Sequence, residues 1–406
     1  MRALKAIIST AVLLAAIWPA MAQISDNKVK IGILTESSGV YADLAGSGSI
    51  VAAKMAANDF GGKVNGKPIE IVSANHQNKP DIAANIAKEW FDLGGVDVIA
   101  DLPNSAVALA VSEIAKDKKK PALIVNPGSS AITGLKCSPY GIHWTYDTWA
   151  LAHGTASAIT KGGGKSWFFI TADYAFGKAM EADASSFIKS EGGTVLGSVR
   201  HPLDTPDMSS FLLQAQNSKA KIIGLANAGT DFIDTVKQAR EFRVAQDGNQ
   251  RLVGLLVFLS DVNALGLEDA KGIELTTAFY WDRTEATRAW TKRYAALNGG
   301  KYPNMTHAGV YSAVLHYLKA VAAAGTDDGT AVMAKMKELP TSDPLFGEGK
   351  IRVDGRKIHP MYLYQVKTPE ESKYPYDYYK PIATIPEEEA FRPLSEGNCP
   401  FVKTER

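Results

Sequence analysis

The sequence predicts an α/β protein of two doubly wound lobes, and three observations carry that prediction. Apolar runs of strand length alternate with segments of helical period through most of the 406 residues. The alternation comes in two beats, one over about 29–126 and one from Ser166 onward, with a glycine turn at 162–164 before the second. Most predicted strands end in a loop of Ser, Thr, Asn or Gly beside a helix start. Alternation of this kind implies largely parallel sheets covered by helices on both faces.

The first strand, 29–34, leads through a small hydroxylated loop into an Ala-rich helix from about Ser49. Further strands of the first beat are predicted at 69–73, 96–100 and 122–125. Ile82, Ile86 and Trp90, and then Val107, Val111 and Ile114, form the apolar stripes of intervening helices. HWTYD at 143–147 reads as a connector. The second beat places strands at 166–170, 194–199, 222–226, 253–258 and 273–279. Helices around 287–297 and 304–324 follow; they are too few for a third domain and are expected to complete the first lobe. The segment 374–406, rich in Pro, Tyr and charge, reads as an extended tail wrapping the body.

Residues 1–22 have the layout of a secretory signal: Arg2 and Lys5, an apolar run over 6–18, and an A-x-A site predicting cleavage after Ala22. The run is shorter than the roughly 20 residues of a spanning helix. An exported, soluble protein is expected. The formal net charge of +1 excludes the electrostatic footprint of a nucleic-acid binder, and KDKKK at 116–120 is a solvated helix end before Pro121. The two cysteines, Cys137 and Cys399, are expected to form one disulfide in an oxidising compartment, with two free thiols as the alternative. Closing so long a loop contributes at most ~5 kcal/mol.

Motifs for chemistry are absent. GGKVNGK at 61–67 matches part of a phosphate loop, but Pro68 stands where Ser or Thr is needed and the segment follows a helix, so it reads as a turn. No nucleophile elbow, HExxH or paired metal spacing occurs, and the seven histidines are scattered. No cofactor, metal or catalysis is expected. Asn304 opens a glycosylation sequon that carries no information in a chain with a bacterial-style signal.

In open parallel sheets ligands bind outside the carboxyl ends of the strands. That rule selects loops at 35–49, 101–105, 126–130, 171–177, 227–231, 260–263 and 280–283. Asn227 and Asp231 bound one of them. Tyr41, Tyr174, Phe176, Tyr280 and Trp281 fall in these mouths, where rings can clamp an apolar or aromatic ligand body while hydroxyl and N–H groups hold its polar end.

Five stretches, in this order, give the chain a family resemblance: IGILTESSGVYADLAGSGSIVAAKMAANDFGG, VDVIADLPNSAVALAVSEI, ALIVNPGSSAIT, WFFITADYAFGKAM and IIGLANAGTDFIDTVKQAREF. The chain resembles the type I periplasmic binding proteins of ABC transporters, in the branched-chain amino acid group, and its longer members with a late Cys, several of which take up aromatic acids. The resemblance implies two lobes joined by a three-crossing hinge. Lobe 1 would comprise 28–146 and 280–352, lobe 2 147–279 and 353–390, and the tail 391–406 would be tied back to lobe 1. It places a ligand carboxylate at Asn104, Ser105, Gly128, Ser129 and Ser130. An amino group would meet an acid near Asp261, with Asp231 as second candidate. Ala228 stands where the family has a pocket tyrosine, while Tyr174 and Phe176 match a pocket aromatic. These departures favour a bulkier or non-amino carboxylate, delivered by a monomer to a membrane permease without chemistry on the ligand. Aliphatic amino acids or amides are the alternative ligands; an exported enzyme or a ligand-sensing ectodomain of the same fold is the alternative class.

Overall fold

The structure is a computed structural model that describes residues 23–245 and 248–402. The expected signal segment lies outside the described residues. In chain order, β1 (Val29–Thr35), β2 (Lys63–Val64), β3 (Lys67–Asn75), β4 (Val98–Asp101), β5 (Ala122–Ile124) and β6 (Gly141–His143) form one six-stranded sheet in the order β2-β3-β1-β4-β5-β6. All its pairings are parallel except the β2–β3 hairpin. GGKVNGK supplies that hairpin's turn, with Asn65 and Gly66 both at positive φ (48° and 82°). β4, β5 and β6 are buried along their whole length, as strands covered on both faces must be.

A second parallel sheet, ordered β10-β9-β7-β8, is built from β7 (Ser166–Ala172), β8 (Thr194–His201), β9 (Ile222–Ala226) and β10 (Arg251–Gly254). β11 (Glu274–Thr277) does not join it. A small antiparallel sheet of β12 (Thr341–Asp343), β13 (Gly347–Ile351) and β14 (Lys357–Ile358) follows. Then β15 (Met361–Val366) pairs with β11 and with β16 (Tyr379–Ile385), both antiparallel.

The chain thus passes between the two halves three times: after β6, after β11, and between β14 and β15. The helix Met305–Ala324 packs on Gly46–Asp59 of the first half, as its position after the second beat led us to expect. Arg356, fully buried, ties two crossings together: its Nη1 donates to the Tyr146 carbonyl at 3.0 Å and lies 3.6 Å from Asp147. Strand pairing keeps 357–358 beside β13, so the last crossing falls later than the expected return at 353.

Three expectations need correction. The predicted strand at 253–258 ends at Gly254, because 255–258 leaves the sheet as a buried loop, and such a loop is as apolar as a strand. The strand at 273–279 shortens to β11 and sits in the antiparallel sheet. The segment 374–406 is only in part a wrapping tail, since β16 is a sheet strand. β6 escaped sequence reading because three residues make no periodic signal.

Cys137 and Cys399 are bonded, with Cα atoms 5.6 Å apart. The end of the chain is also held by Arg392, whose Nη2 donates to the Ser130 carbonyl at 2.9 Å, and by Phe391, buried under the Arg356 guanidinium at 4.4 Å. Among the described residues no helix is long and apolar enough to cross a membrane, and no group of three His, Cys, Asp or Glu could hold a metal ion.

Candidate functional site

A small, nearly closed cavity lies where the strand tips of the two parallel sheets face each other. From the first half it is lined by Tyr41, Leu44, Pro103, Asn104, Ser105, Asn126, Pro127 and Gly128, with Tyr146 from the first crossing. From the second it is lined by Tyr174, Phe176, Ala228, Leu256 and Phe258. Five of these residues are aromatic and none is charged.

Two long helices begin at its walls. Ser105–Lys118 starts behind Asn104, whose Oδ1 accepts from the N–H groups of Ala106 (2.8 Å) and Val107 (3.2 Å). Ala175–Ser190 starts behind Tyr174 from the opposite side. The helix dipole favours negative charge at such ends, although the Asn104 cap already takes two first-turn N–H groups of Ser105–Lys118. Ser105 Oγ accepts from the Ser129 N–H at 3.2 Å and keeps its own proton to donate.

The walls also touch each other. The hydroxyls of Tyr41 and Tyr174 hydrogen-bond across the gap. Beside them the Thr230 N–H donates to the Val40 carbonyl at 3.2 Å. That approach requires glycine at 229: its φ is +64°, and a Cβ there would stand 2.2 Å from the Val40 oxygen. Glu36 accepts from the Tyr41 N–H at 2.8 Å, and burial raises its carboxyl to about 7. Desolvation likewise raises the Tyr41, Tyr146 and Tyr174 hydroxyls, which stay protonated as donors.

The structure brings together Tyr41, Asn104, Ser105, Gly128, Tyr174, Phe176 and Ala228. The other expected residues do not line the cavity. Ser129 and Ser130 are buried outside the lining, the Ser130 backbone N–H donating to Thr148 Oγ1 at 3.1 Å. Asn227 donates backward to Thr235 Oγ1 at 3.1 Å. Asp231 accepts from the backbone N–H groups of Asp204 and Thr205 (3.2 and 3.0 Å), and burial raises it to about 7. Asp261 caps its own helix by accepting from the Phe258 N–H at 2.9 Å, and burial raises it to about 8. Tyr280 and Trp281 both donate to the Tyr376 carbonyl (3.1 and 2.9 Å), because β11 points its tip into the antiparallel sheet and away from the cleft. Sequence reasoning passed over Tyr146, Leu256 and Phe258; Tyr146 was in view as a connector residue, and the other two were hidden in a supposed strand.

Two sheet-based halves with a small cavity between their strand tips define a protein that encloses a solute, the class of bilobal binding proteins. The comparisons agree. The family model described as periplasmic binding protein matches residues 28–373, and the chain belongs to that family. A crystal structure of a periplasmic binding protein from Burkholderia mallei is 52% identical, with a TM-score of 0.91 over 93% of this chain and 100% of that one. A branched chain amino acid ABC transporter periplasmic ligand-binding protein from Burkholderia xenovorans LB400 is 42% identical, with a TM-score of 0.81 over 92% and 100%. Leu/Ile/Val-binding protein homolog 6 of Brucella melitensis is 25% identical over 367 residues, 88% of this chain and 91% of its own. The family is one of ABC-transporter substrate-binding proteins, so this chain is a binder and not an enzyme.

Proposed function

We propose that this protein captures a small carboxylate with an aromatic or apolar body and delivers it to a membrane permease. The single observation that carries the reading is the cavity lining: five rings, hydroxyls and helix N-termini, with no charged side chain. An α-amino acid would bring an ammonium group that needs an acid, and burying it unpaired costs several kcal/mol or more. The two acids expected to serve it, Asp231 and Asp261, bond to backbone N–H groups of nearby loops instead. A carboxylate, by contrast, meets Ser105 as a hydroxyl donor together with one tyrosine of the Tyr41–Tyr174 pair, whose other member spends its proton on the bond between them.

Lobe 1 would comprise 28–146 and 280–352 and lobe 2 147–279 and 353–390, with the last crossing moved to 358–361. Ligand would bind one open lobe and favour the closed arrangement through its contacts with the other, a shift set by its differential affinity for the two states. The protein would act in the periplasm as a monomer, after cleavage behind Ala22. The names of the relatives favour aliphatic amino acids as the second reading. Thermal-shift screening of residues 23–406 against aromatic acids and aliphatic amino acids separates the two. Ligand at 100 times its Kd stabilises by ~2.7 kcal/mol; stabilisation by leucine-type ligands alone would reject the aromatic reading.

A further inference from the structure

Tyr376 stands in a backbone conformation that bulky residues avoid, with φ at +65°. It lies in the loop 367–378, between β15 and β16 of the second half. The loop is braced on itself. The Lys367 N–H donates to the Tyr378 carbonyl at 2.7 Å, and the buried Asp377 carboxylate accepts from the Lys373 N–H at 3.0 Å and pairs with Lys367. Tyr378 Oη donates to Asn263 Oδ1 at 2.9 Å, on the second half's helix Leu259–Leu265. The Tyr376 carbonyl is held twice, by Tyr280 and Trp281 of the crossing after β11.

This bracing fixes the position of one ring. The Tyr376 ring lies flat on that of Tyr302, with centroids 4.3 Å apart and planes 4° from parallel. Tyr302 belongs to the first half: it sits between helices Glu285–Leu297 and Met305–Ala324, and its neighbour Lys301 pairs with Asp43 at 3.1 Å. Trp281 packs against Tyr302 at 86°, centroids 4.8 Å apart. A polar pocket beside the stack takes Asp43, Lys301 and Tyr302 from the first half and Ser260, Asn263 and Tyr376 from the second, so the stack stands on the seam between them. None of these residues lines the ligand cavity.

Backbone strain persists where the surroundings over-determine it, and it gathers at parts that switch. We infer that loop 367–378 is a strap that clasps the closed halves through the Tyr302–Tyr376 stack, a hold separate from the ligand cavity. The inference rests on the two-lobed closure proposed above and on no choice of ligand. A stacked pair shifts an equilibrium about 2- to 10-fold beyond the effect of the area it buries. Because the clasp lies outside the cavity, it weights closure equally for every ligand and adds nothing to selectivity.

Tyr302→Leu and Tyr376→Leu, singly and together in residues 23–406, test this. Small-angle scattering of the unliganded protein should give a larger radius of gyration in all three. Calorimetry with benzoate and with leucine should show whichever binds weakened about 2- to 10-fold. The double variant should be no worse than the weaker single, since loss of either ring removes the stack. Tyr302→Leu alters the opposite half, so faster tryptic cleavage after the exposed Lys373 reads release of the strap directly. Tyr302→Phe and Tyr376→Phe keep both rings and should match the parent.

Unchanged scattering, affinity and cleavage in the leucine variants would overturn the clasp. So would single effects that add in the double variant, or phenylalanine variants that behave like the leucine ones. If neither benzoate nor leucine binds the parent, the ligand reading falls, and scattering and cleavage still decide the clasp.

Discussion

The two walls of the cavity are built from the same kind of βα corner, yet they present different chemistry. The first-half wall is polar at its strand tips: Asn104, Ser105, Asn126 and Gly128 follow β4 and β5. The second-half wall is apolar: Tyr174, Phe176, Ala228, Leu256 and Phe258 follow β7, β9 and β10. The second half is not short of polar residues, since Asn227, Asp231 and Asp261 lie in those same loops. They are spent on internal bonds to Thr235, to Asp204 and Thr205, and to Phe258. Loop composition alone does not set the polarity of a binding wall; what matters is which polar side chains the loop keeps for its own backbone.

The largest effect is expected where the walls must meet. Gly229→Ala adds a Cβ against the Val40 carbonyl at a positive-φ position, and about a 100-fold loss of affinity should accompany only ~1 kcal/mol of lost stability. Unchanged affinity by calorimetry would mean that the bound state does not bring these loops together.

The walls can then be compared directly. Ser105→Ala removes a hydroxyl from the polar wall, and a lost hydrogen bond to a carboxylate of ~1.5 kcal/mol or more corresponds to a drop of about tenfold or greater. Phe176→Leu on the other wall should cost an aromatic acid about three- to tenfold through lost ring contact, while leaving any aliphatic ligand nearly unaffected. If both variants weaken all ligands equally, the division of labour between the walls is wrong.

Tyr41→Phe breaks the hydroxyl bond across the gap, worth ~1 kcal/mol, so the unliganded protein should open about fivefold more often. Small-angle scattering would register this as a larger radius of gyration, and an unchanged profile would count against the bond as a latch.

The smallest effect on binding belongs to Asp261→Asn. Burial raises this carboxyl to about 8 against its usual 3.8, so the folded protein holds a proton that the unfolded chain releases above pH ~4. Stability is therefore present at low pH and lost as pH climbs toward 8. The variant keeps an acceptor for the Phe258 N–H, so thermal melts should show a flatter decline over that window, with affinity within about twofold of the parent. A steep loss of affinity would restore Asp261 as a ligand contact.

How far the site was legible follows from the kind of signal each residue gives. Asn104, Ser105 and Gly128 were readable because they follow buried parallel strands, and the tips of such strands face the ligand by topology. Tyr174 and Phe176 were readable for the same reason. Tyr280 and Trp281 satisfied the same local rule and failed it, because β11 pairs with β15, a strand remote in sequence that turns its tip elsewhere. Phe258 and Leu256 were hidden because a buried loop and a buried strand have the same hydropathy. Asp261 was misread because an acid that caps a helix and an acid that meets a ligand are the same residue type in the same place.

From the amino-acid string alone came the two-beat α/β architecture, the pairing of the two cysteines and five of the seven loops selected for the cavity, because hydrophobic period and turn chemistry are local properties. The tertiary structure alone decided the bonding partner of each polar side chain within those loops. Hydrogen bonds form between groups brought close by distant strands, so the withdrawal of Asp231 and Asp261 depends on neighbours that no local pattern specifies.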